Sequence, residues 1–189
     1  MSEIKKRKKL NDPKTKAKIL DAAQTVFSKK GYSLAGIRDI AAQADVSSAL
    51  IIRYFGSKPA LFEAALIEAV PLDLVIGEVP RDEFGAFVVN LVKSPATEAP
   101  IVSMIALSIS DTQARESCIK ILQSHLLPQL VAWLGAPNAK IRAIEILMLF
   151  MGFLFYTRYM PLLPQTKLVD RRLTKWCARV LQEIVDQSK

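Results

Sequence analysis

Histidine and cysteine are almost missing from this 189-residue chain, which has one His and two Cys. Cys118 and Cys177 lie far apart and form no CxxC or Cys/His cluster, so a zinc site or disulfide framework is excluded. They read as buried thiols and His125 as a structural or surface residue. There is no HExxH, no GxSxG and no glycine-rich phosphate loop. A hydrolase or transferase would lack its nucleophile–base pair or metal cluster, so no enzyme, metal or cofactor is expected. Long apolar runs are also missing. The longest, Ile146 to Thr157, sits between Glu145 and Arg158 and falls short of the ~20 residues a bilayer span needs. The opening MSEIKKRKKLNDPK has no apolar stretch of a secretory signal. Alternating strand-type runs are scarce and no internal repeat is evident. The expectation is a soluble, reduced, cytoplasmic protein without a membrane partner.

About half the residues (51%) are apolar and 23% are charged, which suits a folded core and excludes wholesale disorder. The net charge of +8 is unevenly placed. Residues 1–58 carry 13 Lys+Arg against 5 Asp+Glu, while residues 59–189 carry 13 of each. The entire excess therefore sits in the first third, and a basic head on a neutral body implies a polyanionic partner for the head.

Helical periodicity runs nearly throughout. Residues 1–11, with Lys5, Lys6, Arg7, Lys8 and Lys9, form a basic arm whose like charges repel, and it is expected to be disordered alone. Asp12-Pro13 starts a helix ending at Gly31. Ile37, Ile40, Ala41 and Ala44 make the apolar stripe of a second helix. Ser47 caps a third, to about Phe55, and Ser57 a fourth, with Pro59 in its first turn and an end near Val70-Pro71. Further helices are expected over Asp82 to Lys93 and 101–109. Residues 94–100 read as a loop. Ser110-Asp111 caps a helix to Leu134, kinked or split by Pro128 and closed by Gly135. Asn138 caps 139–160, which Pro161 and Pro164 stop, and the last helix covers about 168–187. The fold class is all-α: an arm (1–11), a three-helix head (12–57) and a helical body (58–189).

Residues 37–55 fit a helix-turn-helix, in which two short helices cross steeply over a tight turn. Ile40, Ala41 and Ala44 supply the first helix's contact face, Val46 plugs the corner, and Ile51 and Phe55 point back from the second. Asp45 stands where the turn is often left-handed, a conformation aspartate tolerates better than most.

The block GYSLAGIRDIAAQADVSSALIIRYFGSKPALF (31–62) resembles the DNA-binding domain of TetR-type transcriptional regulators. Matching features are Gly31-Tyr32, Arg38-Asp39-Ile40-Ala41, Val46-Ser47, Phe55, Ser57-Lys58 and Leu61. Departures are Ala35 and Gly36 for the usual Thr/Ser, Asp45 for Gly, and Ile52 where the family often has a phosphate-contacting Tyr. The second helix is thus expected to start less firmly. The beginning of an HTH's second helix faces base edges in the major groove, which places Ser47, Ser48, Ala49 and Leu50 near the bases. Arg53 reaches guanine or phosphate. Tyr54 either donates to phosphate or packs as a core aromatic. The resemblance adds Arg38 and Ile52, and Lys58 stands at a helix N-terminus where a phosphate is favoured. The arm enters a minor groove or serves as a non-specific tether.

In the body, Ile146 to Tyr156 is apolar on all sides and needs cover on all sides. Leu147, Phe150 and Leu154, with Leu173, Trp176, Val180 and Ile184 of the last helix, are the expected dimer interface, a four-helix bundle between two copies. The resemblance further implies a pocket for a small apolar effector, with Phe87, Met104, Trp133, Met148, Met151, Phe155, Tyr156 and Tyr159 as its lining. The expected function is a dimeric repressor that binds a pseudo-palindromic double-stranded operator and is released by that effector. The alternatives are a TetR-like activator, or a non-catalytic basic helical protein that binds RNA or a membrane surface.

Overall fold

The computed structural model describes residues 12–69, 77, 79–93, 100–162 and 166–187. The basic arm, the end of the fourth expected helix near Val70-Pro71, residues 94–99 of the expected loop, and Pro164 lie outside the described residues. Among the described residues every regular element is helical. In chain order these are α1 (Pro13–Leu34), α2 (Ile37–Gln43), α3 (Ser48–Phe55), α4 (Lys58–Glu68), α5 (Phe84–Lys93, preceded by a 3-10 turn, Arg81–Glu83), α6 (Pro100–Ser108), α7 (Thr112–Ile121), α8 (Leu127–Leu134), α9 (Ala139–Leu154) and α10 (Lys167–Asp186).

Side-chain oxygens satisfy the free N–H groups that begin several helices. Asp12 accepts from the Lys14 and Thr15 amides, Ser47 from Leu50, Ser57 from Ala60, Asp111 from Ala114 and Thr166 from Val169. Three expectations need correction. Gly31 interrupts α1 at φ 72°, but one more turn follows, to Leu34. Pro100, read as loop, is the first residue of α6, a position where its missing N–H costs no helix bond. Asn138 occupies the N-cap position of α9 in the left-handed region (φ 53°), and its side chain makes no capping bond. Both long helices contain a widened turn of π type, at Leu122–Leu126 and Phe155–Tyr159. The first of these precedes Pro128 and splits the expected helix, because proline offers no N–H to the preceding turn.

The helices divide into two compact units. The first holds residues through α4 together with 100–122, and so takes in α4, α6 and α7, which lie in the expected body of residues 58–189. Packing explains the difference, since a three-helix head is too small to bury its own apolar faces. Ile19, Ala23 and Phe27 of α1 meet Ile40 of α2, Ile51 of α3, Leu61, Phe62 and Ala65 of α4, Met104 of α6, and Ala114, Cys118 and Ile121 of α7 in one core. Phe27 and Tyr32 both pack edge-on to Phe62, with ring centroids 5.0 Å apart.

The second unit is built from α5, α8, α9 and α10. The Gly85 amide of α5 donates to the Gln182 Oε1 of α10 at 3.1 Å, and Gln182 Nε2 donates to the Arg81 carbonyl at 2.8 Å. Arg142, fully buried on α9, donates to the Leu134 and Gly135 carbonyls at the end of α8 (2.9 and 2.6 Å) and to those of Ile184 and Val185 on α10 (3.4 and 3.3 Å). Free carbonyls at helix C-termini carry partial negative charge, so they accommodate a buried cation.

Candidate nucleic-acid interface

The α2–α3 elbow follows from a few local interactions. α2 lacks a side-chain cap, yet the Gly36 amide donates to the Asp39 carboxylate at 3.0 Å, and Lys30 of α1 pairs with that carboxylate at 3.1 Å. Those two contacts hold the Asp39 carboxyl below the usual carboxylate range. The missing Thr/Ser is thus compensated three residues on; the G-x-x-D spacing was the available signal. Asp45 takes φ 49°, as expected of the turn residue. The Val46 amide donates to the Ala41 carbonyl at 3.0 Å, and its side chain packs on the core as the corner plug. Ile40, Ala41, Ala44 and Ile51 are buried where the helices cross.

With Ile51 turned inward, the opposite face of α3 is left to solvent. Ser47, Ala49, Ile52 and Arg53 are exposed and Ser48 is half-buried beside them, so five of the expected contact residues share one face. Arg38 is exposed on α2. Leu50 and Tyr54 lie half-buried on the flank; Tyr54 packs against the core and lies 6.2 Å from the Phe55 ring.

Lys58 stands at the start of a helix, as expected. It begins α4 behind the Ser57 cap, but its ammonium lies 4.4 Å over the Tyr32 ring, within cation–π range. The Tyr32 hydroxyl donates to Gln113 Oε1 at 2.9 Å, and the Ser33 hydroxyl donates to Asp111 Oδ2 at 2.8 Å. Burial lowers the Lys58 pKa, and the nearby Asp111 charge works against that shift. The Ala114 amide and the Ser33 hydroxyl, with a smaller contribution from Lys58, keep the Asp111 carboxyl below its usual range. A second link joins α4 to α7: Glu63 accepts from Ser117 at 3.0 Å and pairs with Lys120 at 2.8 Å.

The residues expected in the dimer interface differ in exposure. Leu154 and Ile184 are buried within their own unit, which removes them from any surface. Leu147, Phe150 and Val180 are half-buried, while Leu173 and Trp176 are exposed. The exposed apolar stripe of α9 is instead Ile141, Ile144 and Met148, because the buried Arg142, Ala143 and Ile146 fix the helix's rotation. Of the expected pocket lining, Met104 is a core residue of the first unit and the other seven lie in the second. Met148, at 69% exposed, stands on the surface, as do Tyr156 and Tyr159. Phe87, Trp133, Met151 and Phe155 are half-buried. Trp133 is held by Phe84, 4.8 Å between centroids, and by the Arg81 guanidinium, 4.8 Å from its ring. Among the described residues no group of three or more His, Cys, Asp or Glu forms a metal cluster, and no helix is long and apolar enough to cross a membrane.

A helix-turn-helix with an exposed face on its second helix, followed by a helical body, defines the class of HTH regulators. Residues 19–65 match the family of bacterial regulatory proteins, tetR family, and residues 82–185 match the tetracyclin repressor-like, C-terminal domain. This chain belongs to the tetR family. The HTH-type transcriptional repressor SCO4008 of Streptomyces coelicolor is 44% identical over 72 residues, which are 38% of this chain and 36% of that protein; the match thus spans about a third of the relative's length. Salmonella enterica GusR shares the fold with a TM-score of 0.69 at 20% identity, over 94% of this chain and 98% of its own. Bacillus subtilis FadR, solved in complex with stearoyl-CoA, aligns with a TM-score of 0.60 at 18% identity, over 90% and 97% of the two chains.

Proposed function

We propose that this protein is a dimeric, sequence-specific DNA-binding transcriptional repressor that acts in the cytoplasm and is not an enzyme. The face formed by Ser47, Ser48, Ala49, Ile52 and Arg53 carries this reading. It presents small hydroxyls, methyl groups and one guanidinium on a helix braced by its elbow, a set suited to base edges, thymine methyls and phosphates. The basic excess of residues 1–58 supplies the attraction to the duplex. Membership of the tetR family and the similarity of 72 residues of this chain to a named transcriptional repressor support the same function.

Two copies associate through the exposed stripe of Ile141, Ile144 and Met148 on α9 and Leu173 and Trp176 on α10. Such apolar side chains cost free energy in water and gain it when a second copy covers them. Two heads then read two halves of a pseudo-palindromic operator. A small apolar effector, held among half-buried residues such as Phe87, Met151 and Phe155, releases the operator by preferring the conformation that does not fit it. The similarly folded FadR was solved with stearoyl-CoA, whose acyl chain is apolar, and ligands with such a chain are the class to screen first.

The test is a salt titration of binding to duplex DNA, RNA and anionic vesicles. Binding that favours one duplex, with log K falling by about 0.9 per phosphate neutralised as log salt rises, supports the reading. Equal preference for RNA or vesicles contradicts it.

A further inference from the structure

We propose that Ala49 and Ile52 read the C5-methyl groups of thymine, so that each operator half-site is selected for thymine at the positions these two side chains meet. The inference rests on the DNA-binding reading above and deepens it by naming the part of the duplex that this stretch of α3 recognises. Arg53 is the one charged residue of α3, so attraction to phosphate does not account for the rest of the exposed face. Ile51 is fully buried, while its neighbour Ile52 is left 42% exposed, and Ala49 is exposed three residues before it. Residues three apart are neighbours on a helix surface. The pair therefore forms an apolar stripe beside Arg53, on the face that the DNA-binding reading turns to the duplex. The Ser47 oxygen is engaged as the cap of α3, accepting from the Leu50 amide. The exposed surface one turn further in is hydrocarbon.

Chemistry leaves Ile52 one favourable partner in the major groove. It has no donor for a phosphate. Covering a base-edge N–H or C=O with it strips water from that group without replacing the hydrogen bond, which costs free energy. The thymine methyl is the apolar group among the base edges presented there. Ile52 is β-branched, so in a helix its χ1 is held close to one rotamer and little freedom is lost on contact. Side chains at this spacing have Cβ atoms about 5–6 Å apart, while successive bases on a strand are about 3.4 Å apart along the axis. The methyls that the pair reads therefore lie no more than two base steps from each other.

Deoxyuridine pairs as thymidine does and lacks only the C5-methyl, so it isolates the contact without any change in the protein. The experiment measures binding of the full chain to a duplex enriched from a random pool, with each thymidine of a half-site replaced in turn by deoxyuridine, for wild type and for Ile52→Ala. In wild type, one or two positions per half-site, no more than two base steps apart, are expected to lose about fourfold in affinity, the scale of one methyl-sized group taken out of water. In Ile52→Ala the uracil effect is expected to vanish at one of these positions at least, with the melting temperature little changed because the side chain is already partly in solvent. Uracil effects that are absent at every position, spread more widely than two base steps, or equally large in Ile52→Ala overturn the proposal, while an enriched sequence leaves the DNA reading intact. The wild-type scan decides against the proposal by itself if no position responds, whatever the variant does to folding. Failure of wild type to bind any duplex overturns the DNA reading and the proposal with it.

Discussion

Gly85 of α5 faces Ala178 of α10 so closely that a Cβ on Gly85 would overlap the Ala178 carbonyl oxygen. Two helix backbones touch there with no side chain between them, and Gln182 bonds the Gly85 amide from the same helix. Gly85→Ala forces backbone to move, not a flexible side chain. We expect it to lower stability toward the upper end of the ~1–3 kcal/mol typical of overpacking, read by urea denaturation. Ala86→Ser, on the exposed side of α5, is the control and is expected to change stability little.

Arg142 ties the ends of α8 and α10 to α9. Arg142→Met keeps much of the volume but leaves four buried carbonyls without that donor. The expected loss is about 3 kcal/mol by denaturant titration, the scale of charged hydrogen bonds removed from a buried site. Arg142→Lys is expected to recover only part of it, because a single ammonium lacks the planar fork that reaches both helix ends.

Arg53 is exposed and basic on the reading face. Arg53→Ala is expected to leave the melting temperature unchanged and to reduce operator binding by roughly tenfold, the scale of one good base contact. Comparison with a random duplex separates its roles: a loss on both duplexes marks a phosphate contact, and a loss on the operator alone marks a base contact.

Glu63 is held below the usual carboxylate range first by its bond to Lys120 and then by Ser117, against the opposing effect of burial. Its folded pKa is therefore lower than its unfolded one. The stabilisation is full above the unfolded value and is lost as pH falls through the folded value. Melting temperatures measured from neutral pH downward are expected to fall less steeply in Glu63→Gln than in wild type across that acidic window.

The head was largely legible in the sequence because its signals are local. The caps at Asp12, Ser47, Ser57 and Asp111, the left-handed Asp45 and the plug at Val46 each depend on residues within a few positions. What escaped depends on distant partners. That α6 and α7 complete the head's core, that Lys58 turns toward Tyr32, and that Arg142 is buried on α9 all require contacts across long stretches of chain. Which side of α9 faces inward is hidden from the sequence for the same reason. In a helix apolar on all sides, periodicity cannot say which side faces inward; the burial of Arg142, Ala143 and Ile146 does.

Exposed apolar residues on α9 and α10 predict association of two copies. Met148→Glu or Trp176→Glu is expected to shift the sedimentation profile from dimer to single chain while helical content is retained, since both side chains are already in solvent within their own unit.

The most direct test of the central claim is selection of duplexes bound by the purified protein from a random pool. The account predicts enrichment of one pseudo-palindrome, its half-sites centred about 34–36 Å apart or a further turn beyond, and loss of that enrichment in Arg53→Ala with Ser48→Ala. No enriched sequence, or one unaffected by changing that face of α3, would contradict it.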